Sequence, residues 1–101
     1  MLAWRLISRK MYGGCELSEK NETQFTTNPV LFCEMFKTVL KEFESEKEII
    51  YNWDDLMAFD TTELTSYYDH EGTEEIFILD YRYYDDNCSY VYEIETVDIL
   101  I

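Results

Sequence analysis

The sequence predicts an α+β domain in which an antiparallel sheet of about five strands carries one long helix and a short second helix on one face. Three features predict it: apolar and polar residues alternate from residue 2 to 12, a helical apolar stripe follows Asn28, and Tyr- and Ile-rich runs separated by turn residues fill the last third. The chain has 101 residues, one proline and no Ser/Gly-rich linker, so residues 1–101 are expected to form a single domain.

The first two strands are predicted as a hairpin. Leu2 and Trp4 share one parity while Arg5 has the other, as in a strand with one buried face. Gly13 and Gly14 follow, and glycine readily adopts the positive φ angles of a two-residue turn. Residues 2–12 and roughly 15–25 therefore form the expected strand pair.

The long helix is predicted over about 29–47. Asn28 is a suitable N-cap and Pro29 suits the first helical position. The apolar residues that follow recur at the i, i+3, i+4, i+7 spacing of one buried helix face: Phe32, Met35, Phe36, Val39, Leu40 and Phe43. We expect this face to cover the sheet.

A short second helix is predicted in "YNWDDLMAFD", with Asn52 as N-cap. Asp54 and Asp55 would lie in its first turn, where carboxylates meet the positive end of the helix dipole.

The remainder is predicted as a meander: strand "ELTSYY", turn "DHEGT", strand "EEIFILDYRYY", turn "DDNC" and strand "SYVYEIETVDILI". With Asp86 and Asn87 at the centre of the last turn, Asp80 would lie opposite Glu93. The other face of that hairpin would be apolar or aromatic.

Charge is distributed unevenly along the chain, whose net charge is −14. Residues 1–47 hold seven acids and seven bases, whereas residues 48–101 hold fifteen acids and one base, Arg82. With 47% hydrophobic and 17% aromatic residues the chain is unlike a disordered acidic tail. Direct nucleic-acid binding is disfavoured, because phosphate contact requires clustered Lys and Arg.

No catalytic, cofactor or metal motif stands out, so neither an enzyme nor a cofactor is expected. Three cysteines at wide spacing and one histidine disfavour a disulfide framework or a zinc site. The alternative is a metal-dependent hydrolase with Asp80, Glu93 and Glu95 as Mg²⁺ ligands. No lysine follows Lys47 to accompany those acids.

A cytoplasmic location is expected. No apolar run approaches the ~20 residues of a membrane span, and Arg5 interrupts what would be the apolar core of a signal peptide.

The expected function is that of a small acidic inhibitor that mimics nucleic-acid charge and occupies a basic groove of a nuclease or another nucleic-acid-binding enzyme. Small phage anti-CRISPR and anti-restriction proteins, and the immunity partners of nuclease toxins, are similar in size and acidity, although the similarity is one of composition only. A structural oligomerisation module is a further alternative, and the protein is expected to be a monomer or small homo-oligomer without membrane contact. The expected partner-binding residues are the acids of the second half: Asp54, Asp55, Asp60, Glu63, Asp69, Glu71, Glu74, Glu75, Asp80, Asp85, Asp86, Glu93 and Glu95.

Overall fold

The sheet of the described chain is fully antiparallel and has four strands in the order β2-β1-β4-β3. The computed structural model describes the backbone of residues 1–12, 15–83 and 86–100, and their side chains except those of 12–19 and 79–88. The strands are β1 (Leu2–Tyr12), β2 (Cys15–Glu22), β3 (Gly72–Tyr83) and β4 (Asp86–Asp98). The α+β class and the antiparallel sheet are confirmed, whereas the expected fifth strand is absent from these residues.

The N-terminal hairpin is confirmed. Strands β1 and β2 pair antiparallel, with Tyr12 opposite Cys15. The predicted turn at Gly13 and Gly14 lies outside the described residues. Strand β1 also pairs along its whole length with β4, so the two ends of the chain form the centre of the sheet.

Helix α1 (Pro29–Lys41) begins as predicted, because the Oδ1 atom of Asn28 accepts hydrogen bonds from the amides of Val30 (3.0 Å) and Leu31 (3.2 Å). The predicted stripe faces the core. Three of its members are fully buried: Phe32, Phe36 and Leu40.

The prediction that this helix continues to residue 47 is wrong. The α-helix ends at Lys41, and a 3₁₀ segment follows over Glu44–Ile49. Residues 44–48 are all polar, so after Phe43 no apolar side chain at i+3 or i+4 holds an α-helix on the sheet. The tighter segment instead delivers Ile50 into the core, where it is buried.

Two short helices follow, α2 (Trp53–Met57) and α3 (Thr61–Tyr67). The first was predicted; the second replaces the predicted strand "ELTSYY". Asp60 caps α3 by accepting a hydrogen bond from the Glu63 amide at 3.0 Å, and Leu64 is fully buried in the core. This local cap and tertiary burial prevail over the strand preference of the Thr and Tyr residues.

The final hairpin has a different register from the predicted one. Strand β3 ends at Tyr83 and β4 begins at Asp86, so Asp86 and Asn87 belong to a strand and not to a turn. Asp80 consequently lies opposite Ser89, and Glu93 lies opposite Glu75. The predicted pairing of Asp80 with Glu93 is wrong.

All helices pack on one face of the sheet. From the sheet this core receives Trp4, Leu6, Phe77, Tyr92 and Ile94, all buried. The Phe77 and Tyr92 rings stack with centroids 4.4 Å apart and an interplanar angle of 9°. In the described residues the other face carries no helix, and charged side chains lie on that face as well as on the outer surface of the helices.

Candidate functional site

The open face of the sheet carries a network of ion pairs, most of which join the two halves of the chain. Arg5 donates from Nε and Nη2 to Oε2 of Glu95, at 3.1 and 2.9 Å, and from Nη1 to Glu22 at 2.7 Å. Arg9 Nε lies 2.8 Å from Oε1 of Glu93. The contacts with Glu93 and Glu95 follow from the pairing of β1 with β4, which places basic residues of the first strand beside acidic residues of the last, whereas the contact with Glu22 follows from the pairing of β1 with β2.

Glu93 and Glu95 do project from the face opposite the helices, as predicted, since Ile94 between them is fully buried. Their charge, however, is matched within the molecule by Arg9 and Arg5. Two of the residues expected to contact a partner therefore form ion pairs within the protein itself.

This register separates the backbone positions of two residues of the alternative hydrolase site. The backbone position of Asp80 lies opposite Ser89, four residues along β4 from Glu93, or about 13 Å at the usual strand rise. Within the part of the chain that the structure describes, no group of three or more His, Cys, Asp or Glu side chains is placed to hold a metal ion.

A groove of about 220 Å³ lies on the other side of the molecule, between α2, α3 and the start of β3. We call it the acidic groove. Its lining combines apolar, aromatic and acidic side chains: Asn52, Asp55, Leu56, Phe59, Glu63, Tyr67, Tyr68, Glu74, Glu75 and Ile76. Four of the predicted partner-binding acids thus converge here, with two tyrosines that the sequence reasoning assigned to a strand.

Two local features build the acidic groove. The Nδ2 atom of Asn52 donates to the carbonyl of Ile76 at 3.2 Å, which ties α2 to the edge of the sheet; Asn52 does not use its side chain as the predicted N-cap. The register of β3 against β4 also shifts between Glu75 and Phe77. This bulge reverses the alternation of β3, so that Glu74 pairs with Ile94 on the helix side.

The opposite wall of the groove belongs to α2 and α3. Lys37 on α1 donates from Nζ to the carbonyls of Leu56 and Met57, so its charge meets the C-terminal end of α2. Asp60 is occupied by the α3 cap. Glu63 and Tyr67, one helical turn apart on α3, both line the groove.

The acids in and around the acidic groove raise the pKa values of neighbouring side chains. Burial, followed by the charges of Glu74 and Glu63, raises the pKa of Tyr68 to about 12. The hydrogen bond that His70 donates to the Asp69 carboxylate is the main cause of the raised pKa of His70, and the charge of Glu74 adds to it. Burial raises the pKa of the Cys33 thiol, and Asp60 and Glu63 raise it further.

The remaining predicted residues are spread around this groove or lie outside the description. Asp54 is exposed in the first turn of α2, and Asp69 forms an ion pair with His70 at 2.8 Å. Glu71 accepts a hydrogen bond from the Asp98 amide at 3.2 Å. The side chains of Asp80 and Asp86 lie outside the described residues, as does Asp85 entirely.

Comparisons give no relative: no protein-family model, no curated protein and no solved structure matches this chain. Among the helices of the described residues, the longest has 13 residues, and none is long and apolar enough to cross a membrane.

Proposed function

We propose that this protein is a small acidic inhibitor that binds a basic nucleic-acid-binding surface of a nuclease or similar enzyme and occupies it in place of nucleic acid. One observation carries the proposal. The surface of α2, α3 and the start of β3 presents eight carboxylates, and the sequence from residue 48 to 81 contains no Lys or Arg. The eight are Asp54, Asp55, Asp60, Glu63, Asp69, Glu71, Glu74 and Glu75.

Compensation of this charge is partial, since Lys37 on α1 interacts electrostatically with two of the eight acids, Asp60 and Glu63. Among these eight acids, the one ion pair formed within the described residues is that of Asp69 with the exposed His70. By contrast, Glu22, Glu93 and Glu95 on the open face of the sheet are each paired with a base. The protein therefore has one surface whose acids are paired with bases and one whose acids are mostly without an ion-pair partner among the described residues.

The chemistry of that surface favours a basic protein over other ligands. Nucleic acid would be repelled by it. Self-association through the same surface would bring like charges together, at a cost of several kcal/mol. Carboxylates on successive helix turns recur about every 5.4 Å and on alternate strand positions about every 6.8 Å, which is of the order of phosphate spacing along a nucleic-acid strand.

The test is displacement of nucleic acid. Purified nucleases and restriction enzymes are bound to a labelled duplex, the protein is added at low salt, and retained duplex is measured by electrophoretic mobility. We expect duplex to be released from at least one enzyme class, and release to be lost when Asp55, Glu63, Glu74 and Glu75 are changed together to Asn or Gln.

A matched control variant removes the same number of negative charges from a different surface. Four acids of α1 and the following segment, Glu34, Glu42, Glu44 and Glu48, are changed to Gln, and all four are exposed. If the two quadruple variants release duplex equally, or if the parent protein releases none from any enzyme, the proposal is wrong.

A further inference from the structure

The acidic groove has the two-part chemistry of a receptor for a long cationic side chain. Its floor contains three buried apolar side chains, Leu56, Phe59 and Ile76, which are 5%, 7% and 9% exposed. Side chains of this kind pack well against the methylene stem of an arginine or lysine, whose charged end then extends to the rim.

The rim supplies the complementary charge. Asp55 on α2, Glu63 on α3, and Glu74 and Glu75 on β3 border the groove from three elements. The ring of Tyr67 lies at the same rim and is 70% exposed. An exposed tyrosine beside carboxylates offers a cation both an aromatic face and charged acceptors.

The size of the groove selects among occupants. At about 220 Å³ it is smaller than the roughly 300–1,000 Å³ of typical small-molecule pockets, and it is too small for a helix of a partner. No metal-binding group of side chains occurs in the described residues. One extended side chain is the occupant that fits both the volume and the lining.

We infer that the acidic groove binds a single arginine side chain projected by the basic partner. This inference rests on the proposed function, since it names the contact through which that partner is held. Arginine is favoured over lysine because its planar guanidinium stacks on an aromatic ring and reaches two carboxylates at once, whereas an ammonium acts as a compact point charge. The carboxylates of Glu63 on α3 and Glu74 on β3 are the expected acceptors of the guanidinium hydrogen bonds.

The experiment uses a fluorescein-labelled 12-residue peptide of alternating arginine and glycine, and its lysine counterpart, with the full-length protein. Fluorescence anisotropy at low salt gives the Kd values. We expect Tyr67→Ala to weaken binding of the arginine peptide by about 3- to 30-fold. We expect a smaller effect of the same change on the lysine peptide.

Charge variants distinguish binding in the acidic groove from general electrostatic attraction to the acidic protein. The pair Glu63→Gln and Glu74→Gln is compared with Glu34→Gln and Glu44→Gln, two exposed acids of α1 and the 3₁₀ segment. The groove pair should weaken binding at least about 5-fold more than the control pair. Equal weakening by the two pairs would overturn the inference.

A second measurement does not depend on any variant. Addition of the arginine peptide to the isotope-labelled parent protein should shift the backbone amide resonances of residues 63–68 and 74–76 most strongly. Shifts concentrated on β1 and β4 would instead place the peptide on the open sheet face and refute the inference. If the quadruple variant of Asp55, Glu63, Glu74 and Glu75 no longer releases duplex but Tyr67→Ala and the Glu63→Gln, Glu74→Gln pair release it as the parent protein does, the groove inference fails while the proposed function stands. If the peptide binds in the groove but the protein displaces duplex from no enzyme, the groove contact stands while the proposed function fails.

Discussion

Reversing Glu93 and Glu95 to lysine is expected to destabilise the fold. Each glutamate has an arginine partner on β1: Arg9 Nε is 2.8 Å from Glu93, and Arg5 donates two hydrogen bonds to one oxygen of Glu95. The four side chains are 18–30% exposed, so these pairs are only partly screened by water. The double reversal removes both pairs and places like charges side by side.

The magnitude follows from these contacts. A largely exposed ion pair contributes up to about 1 kcal/mol, and a hydrogen bond to a charged group about 1.5–3 kcal/mol. Like charges directly opposite across a sheet cost up to about 1 kcal/mol more. We therefore expect the free energy of unfolding to fall by about 2–4 kcal/mol in the lysine variant and by about 1–2 kcal/mol when both residues become glutamine.

Urea denaturation followed by circular dichroism measures both values, with Glu34→Lys on the exposed side of α1 as the control. At about 1 M salt, where the Debye length is about 3 Å, the difference between the lysine and glutamine variants should shrink. Surface substitutions usually change the free energy of unfolding by less than about 0.5 kcal/mol. If the lysine variant differs from the parent protein by no more than that, the ion pairs of Arg5 and Arg9 do not stabilise the fold.

Three other outcomes are expected. Phe36→Ala should lower the free energy of unfolding by about 3–5 kcal/mol in chemical denaturation, because the side chain is fully buried and its ring contacts Phe59 with centroids 4.9 Å apart. The control is Leu31→Ala on the exposed face of α1, which should cost less than ~1 kcal/mol. A loss that small for Phe36→Ala would contradict the packing. Association with the target should slow strongly between about 0.01 M and 1 M salt, where the Debye length falls from about 30 to 3 Å, and a rate independent of salt would remove the electrostatic basis of the proposal. Tyr68 should ionise near pH 12 in an ultraviolet titration, because burial favours its neutral form. Its contribution to the free energy of unfolding should be complete below about pH 10 and should be lost as the pH rises toward 12. Full ionisation of all tyrosines near pH 10 would refute this.

Features encoded by neighbouring residues were accessible to sequence reasoning. The start of α1 follows from Asn28 and Pro29, and its buried stripe from the spacing of Phe32 and Phe36. The first hairpin follows from alternation around a glycine pair. In each case the deciding interactions lie within a few residues along the chain, so the periodicity of the sequence carries them.

The acidic groove was only partly accessible. Its acids were among the predicted partner-binding residues because they are numerous in that region, but Tyr67 and Tyr68 were placed in a strand. The signal for a helix was present in Asp60, three residues before Glu63, a capping pattern followed by a buried leucine. The bulge after Glu75 had no signal, since it depends on how β3 meets β4.

The sequence by itself determined the α+β class, the helix across the sheet and the concentration of acids after residue 47, where the chain has a single base. The tertiary structure decided which of those acids are paired with a base inside the protein. By pairing β1 with β4 it brings Arg5 and Arg9 of the neutral half next to Glu95 and Glu93 of the acidic half. Among the described residues, no strand that carries lysine or arginine lies beside α2, α3 or the start of β3. The physical reason is that charge is compensated through space at a few ångströms, and only strand pairing between the two ends of the chain sets those distances.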